Sequence, residues 1–165
     1  MMKENSAAYY IQKLKMEAHS EGGFYKETYR SDFTVNNENG AQRNVCTAIY
    51  FLLADADKSH FHRIKSDELW FHHQGETLEI VYIERGILNT LYLGSNLDAG
   101  EVLQATIPAN TWFASKLKNQ KGFGLVSCTV APGFDFADFE MAEKQQLLTE
   151  FPNLESVIDM YALTL

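Results

Sequence analysis

Residues that cross-link, kink or anchor a chain are scarce here, and each scarcity narrows the class of protein. There are two cysteines, Cys46 and Cys128, set in separate apolar segments. Two isolated thiols exclude a disulfide framework and read as buried free cysteines. Three prolines among 165 residues leave no Pro-rich spacer, and no repeat, low-complexity segment or interdomain linker is visible. No apolar run reaches the ~18 residues that a membrane-spanning helix needs, and no signal-peptide pattern is present. A soluble, cytoplasmic protein is expected. Basic residues are also short, with 14 Lys and Arg against 22 Asp and Glu and a net charge of −8. Without a basic run, nucleic acid and anionic membranes are excluded as expected partners.

What the chain has is apolar and aromatic content, 45% and 13%, enough for a globular core at this length. It also has one concentrated block of chemistry. Residues 59–75 hold His60, His62, His72 and His73, four of the five histidines, with Asp67, Glu68 and Trp70 between them. On a strand, residues i and i+2 share a face. His60 and His62 are therefore expected to present two imidazoles to one pocket. Lys65-Ser66-Asp67 reads as a turn, returning the chain antiparallel through Glu68-Leu69-Trp70-Phe71-His72. Such a hairpin would bring His60, His62, Glu68 and His72 together, with Trp70 beside them and His73 at the surface. The opposite strand phase, with Phe61 buried, puts both histidines of the first arm in solvent. Two imidazoles and a carboxylate suit a divalent metal. Without metal they form an acid–base cluster, in which an apolar pocket raises Glu68 and a nearby cation lowers it.

The rest of the chain reads mainly as strands. Ser6 can cap a helix over residues 6–18. Residues 24–30 alternate, residues 45–53 form a buried apolar strand, and further strands are expected at 78–83, 87–93, 102–107, 112–115 and 123–130. Turn signals every ~8–12 residues argue for an antiparallel sandwich or barrel. After residue 139 the pattern becomes helical, with helices expected at 143–151 and 154–161. One domain over residues 1–165 is expected, its barrel core at about 22–140 and helical extensions at 6–18 and 140–165.

These residues carry a family resemblance. His60-x-His62, Asp67-Glu68 and Gly75, followed by Gly100 and Pro108-Ala109-Asn110-Thr111-Trp112-Phe113, resemble the two motifs of the cupins. Four blocks in order resemble the DUF985 or cupin-5 subfamily: Glu21-Gly22-Gly23-Phe24-Tyr25-Lys26-Glu27-Thr28-Tyr29-Arg30, then Ile49-Tyr50-Phe51-Leu52-Leu53, then the histidine stretch, then Val130-Ala131-Pro132-Gly133-Phe134-Asp135-Phe136. The resemblance implies an all-β double-stranded β-helix, or jelly roll, with a pocket in the barrel and pairing as a homodimer. Two departures matter. Asp67 stands where the motif carboxylate is in register, with Glu68 one place later. Phe113 stands where metal-binding cupins carry a histidine, and a phenyl ring cannot bind metal.

The expected function is a pocket for a small organic molecule, with His60, Trp70, His72, Phe113, Tyr29 and Glu27 around it. No cofactor is predicted. His62 and Glu68 are the candidate catalytic pair for metal-free acid–base chemistry of the epimerase or isomerase kind. Tyr25, Tyr29, Tyr50, Tyr82 and Tyr92 are possible proton donors, and Arg30, Arg43 and Arg63 possible anion holders. The first alternative is a metal-dependent oxygenase or isomerase using His60, His62 and Asp67 or Glu68 with a divalent metal. The second is a ligand-binding cupin without catalysis.

Overall fold

The computed structural model describes residues 6–163. In chain order the elements are α1 (Ala7–Lys13), β1 (Glu17–Ala18), β2 (Phe24–Arg30), β3 (Thr34–Asn36), β4 (Gln42–Asn44), β5 (Thr47–Ala54), β6 (Lys58–Ile64) and β7 (Asp67–Gly75). Then come β8 (Leu78–Glu84), β9 (Ile87–Leu93), β10 (Gln104–Ile107), β11 (Trp112–Leu117), β12 (Phe123–Ala131), β13 (Phe139–Met141), α2 (Lys144–Glu150) and α3 (Glu155–Tyr161). One sheet runs β1-β2-β5-β12-β7-β10, a second runs β13-β6-β11-β8-β9, and β3-β4 is a small separate hairpin. The two large sheets face each other as a jelly roll.

The long apolar run in β5 exists because both of its faces are covered. Ile49, Phe51 and Leu53 point into the barrel. Leu52, with Tyr50 and Ala54, packs outward against α1. The Ser6 hydroxyl caps α1, accepting from the Tyr9 N–H at 3.2 Å. The helix ends earlier than the sequence pattern predicts. Lys15 takes a left-handed φ of 54°, and residues 17–18 leave the helical path to pair with β2. On the other side, α2 and α3 cover the second sheet, burying Leu147, Ile158 and Tyr161 against Phe61, Trp112 and Ala114.

The expected histidine hairpin does not form. β6 pairs with β11 and β13, while β7 pairs with β12 and β10. The 65–66 corner carries the chain from one sheet to the other. The two arms therefore face each other across the barrel instead of lying side by side. That is what makes room between them.

Candidate functional site

A cavity of about 440 Å³ opens at one end of the barrel. Its wall includes His62 from β6, Glu68, Trp70 and Cys128 from β7 and β12, and His19 and Glu21 from the segment between β1 and β2. The other end is packed solid by Leu78, Ile80, Leu93, Ile107 and Leu117, each at most 1% exposed.

The simple alternation of β6 is broken. Its register against β11 steps three residues, from His62 to Ser59, while β11 steps two, from Phe113 to Ser115. The bulge turns Ser59 and His62 to the same side, where both meet Glu21. Ser59 Oγ donates to Glu21 Oε1 at 2.8 Å, and His62 Nε2 lies 3.1 Å from Glu21 Oε2. On the far side of the imidazole, Nδ1–H donates to the His60 carbonyl at 2.7 Å. That bond fixes the tautomer and leaves Nε2 to face Glu21.

Glu21 reaches this position because two glycines follow it. Gly22 has φ +109°, and a Cβ there would lie 1.9 Å from the Lys58 carbonyl oxygen. Gly23 has φ +73°, and a Cβ would lie 2.8 Å from the Leu52 carbonyl oxygen. Only glycine allows so close an approach in that conformation. His60 completes the clamp. Its backbone N–H and its ring Nδ1–H both donate to the Glu21 carbonyl at 2.8 Å.

Burial sets the protonation states. Glu21 is 7% exposed and His62 2% exposed. Desolvation raises the Glu21 carboxyl above its ordinary value, against the pull of His19 and Ser59. Desolvation lowers His62, against its bond to His60 and the charge of Glu68. Both shifts favour the uncharged forms, a protonated carboxyl beside a neutral imidazole. Glu68, 8% exposed, is raised to about 7 by burial first and then by repulsion from Glu21. The neighbouring His62, Trp70 indole N–H and Cys128 thiol pull it part of the way back. Trp70 Nε1 nevertheless finds no partner at hydrogen-bond geometry. Burial pushes the Cys128 thiol well up, so it stays protonated and unreactive.

Of the residues expected around the pocket, His62, Glu68, Trp70 and Glu27 line the cavity. His60, His72, Phe113 and Tyr29 do not. His60 is turned by the bulge onto the Glu21 backbone. His72 buries an Nε2 that has no partner. Phe113 sits behind His62, ring centroids 4.2 Å apart, as part of the barrel core. Tyr29 is 54% exposed on an outer face. His73 is exposed, as expected. The two residues missed are Glu21 and the fifth histidine, His19. The one signal for Glu21 was its place directly before the glycine pair.

The residues do not fit a metal site. Among the described residues, no group of three His, Cys, Asp or Glu side chains is arranged to hold an ion. His60 Nδ1 is committed to a backbone carbonyl. Asp67 Oδ1 accepts the Ala109 N–H at 2.8 Å, and Phe113 occupies the second-motif position.

Comparison with known proteins agrees with this architecture. The chain resembles a hypothetical protein from Leishmania major, at TM-score 0.91 and 36% identity, covering 97% of this chain and 100% of that one. It resembles protein SO0799 from Shewanella oneidensis at TM-score 0.90 and 39% identity, covering 99% and 100%. The uncharacterized protein YML079W of Saccharomyces cerevisiae is 29% identical over 164 residues, 91% of this chain and 82% of the relative. Oxalate decarboxylase from Bacillus subtilis shares the fold alone, at TM-score 0.55 and 12% identity over 88% of this chain and 37% of that one. The sequence model of the family described as Cupin superfamily (DUF985) matches residues 8–142, and the chain belongs to that family.

Proposed function

We propose that the cavity binds a small organic molecule and exchanges protons with it between two acidic walls. One wall is the Glu21–His62 pair and the other is Glu68. The observation that carries this reading is the 3.1 Å approach of His62 Nε2 to Glu21 Oε2, inside a cavity that also holds Glu68. The pair keeps a labile proton because burial favours its neutral form. Glu68, titrating at about 7, is partly ionised at neutral pH, the range in which a carboxyl serves as base or acid. In one direction Glu68 takes a proton from a carbon α to a carbonyl, and the pair returns one to the opposite face. In the other direction the roles exchange. His62 and Glu68 are the catalytic residues, and Glu21 works through His62 as well as at the wall. An isomerase or epimerase follows from two walls of this kind.

The test is deuterium uptake. Protein in D2O is incubated with pools of aldoses, ketoses and amino ketones, and recovered compounds are weighed by mass spectrometry. One compound is expected to gain deuterium at one carbon, and both Glu68→Gln and His62→Gln should abolish the gain. Binding without uptake would leave a ligand-binding cupin and remove the catalytic reading. We also propose that the chain pairs as a homodimer. Sedimentation at twice the chain mass supports this, and sedimentation at a single chain mass removes it.

A further inference from the structure

The ionisable groups of the cavity are unequal in kind. Glu17, Glu21, Glu27, Glu68 and Asp135 line it, against Lys26 and Arg30. Arg30 adds no free positive charge. Its Nε donates to Glu27 Oε1 at 3.0 Å and its Nη2 to Glu27 Oε2 at 2.7 Å. With that pair set aside and Glu21 neutral, Glu17, Glu68 and Asp135 remain beside Lys26.

The innermost of them differ. Glu21 is held by Ser59 and His62. Glu68 is more than nine-tenths buried, and among the described residues no lysine or arginine pairs with it, its basic neighbour being the buried imidazole of His62. Beside it stand rings. Trp70 is on its own strand, and Phe51 meets Trp70 edge-on at 5.6 Å. Tyr25 also lines the wall. A buried carboxylate without a lysine or arginine partner, with aromatic side chains in the same wall, is the chemistry that recognises a positively charged nitrogen. An anion would share the cavity with the carboxyl groups of Glu17, Asp135 and Glu68. The net charge of −8 biases the approach the same way.

We propose that the ligand carries a positively charged nitrogen, a primary or substituted amine on a small apolar body, seated against Glu68 and the ring of Trp70. This inference rests on the cavity being the ligand site and adds the charge class of what it takes.

The test uses three compounds of one shape, 2-phenylethylamine, 2-phenylethanol and phenylacetate, titrated into the full chain at pH 8. The readout is the Trp70 indole 15N–1H signal, identified by its loss in Trp70→Phe. The amine is expected to shift that signal with at least about tenfold higher affinity than the alcohol, and the acid to leave it unmoved. Glu68→Gln should bring the amine down to the alcohol's affinity, while Lys26→Gln leaves it equal or tighter. Tighter binding of phenylacetate, lost in Lys26→Gln, would overturn the cation inference and keep the cavity as the ligand site. An unmoved Trp70 signal with all three compounds at about 10 mM, weaker than any useful recognition, would overturn both. An amine preference that survives Glu68→Gln would overturn the assignment to Glu68.

Discussion

The barrel interior has two halves, one filled and one hollow. In the filled half, β8, β9, β10 and β11 turn Leu78, Ile80, Leu93, Ile107 and Leu117 inward, and no space is left. In the hollow half, β6 and β7 turn His62 and Glu68 inward, and Glu21 joins them from the turn before β2. Trp70 stands at the boundary, its ring perpendicular to that of Phe113 in the filled half and 6.2 Å from it. Apolar side chains interdigitate and close a space. Polar ones that face each other keep it open, because each would lose its hydrogen-bonding atoms against a packed wall. The filled half therefore holds the fold, and the hollow half holds buried ionisable groups at a cost in stability.

Breaking the filled half should have the largest effect. Phe113→Ala removes a ring that is 1% exposed and is expected to cost about 3–5 kcal/mol, read from urea unfolding. A loss below about 1 kcal/mol would mean that this half is not closely packed.

The hollow half should respond in the opposite sense. The folded-state value of Glu68 is raised from 4.5 to about 7, so the folded chain holds that proton more tightly than the unfolded chain. Its contribution to stability is full below about 4.5 and is lost as pH rises through about 7. Glu68→Gln keeps the shape and removes the titration. It should stabilise the chain by on the order of 3 kcal/mol at pH 8 relative to its effect below pH 4.5. Equal effects at both pH values would show that Glu68 is not a strained buried acid.

His62→Ala should fall between these extremes. The imidazole makes one backbone hydrogen bond and meets Glu21, but it borders open space into which water can follow. A loss of about 1–2 kcal/mol is expected, smaller than that of Phe113→Ala although both residues are equally deep. A loss as large would place His62 with the core. Outside both halves, Lys144 and Asp159 pair at 2.9 Å with both side chains more than two-fifths exposed. Asp159→Asn should shift stability by no more than about 0.5 kcal/mol, which sets the scale for a change that touches neither half.

Much of this was legible in the sequence. Gly86 and Gly100 mark real turns, and strands stand close to where alternation put them, from Phe24 to Ala131. His62, Glu68 and Trp70 do line the cavity. The four-residue convergence did not follow, for two physical reasons. A turn at Lys65-Ser66 reads the same whether the next strand pairs with the previous one or crosses to the other sheet, and here it crosses. The bulge in β6 then breaks the period of two on which the pairing of His60 with His62 rested. Glu21 was illegible for a third reason. It lies about forty positions before His62, and letters do not show that contact. Only the two glycines behind it, each too close to another strand to carry a side chain, hint at a backbone pressed into the barrel. The short strands β3, β4 and β13 are not legible because three residues carry no pattern.

The central claim is that Glu21 and His62 share a buried proton with the imidazole neutral. Long-range 15N–1H spectroscopy of the His62 ring tests it most directly. The account predicts a neutral ring protonated at Nδ1 that titrates below the ordinary histidine value, with an Nε2 signal displaced by Glu21→Gln. A ring that charges at its ordinary value, or carries its proton on Nε2, with no response to Glu21→Gln, would contradict it.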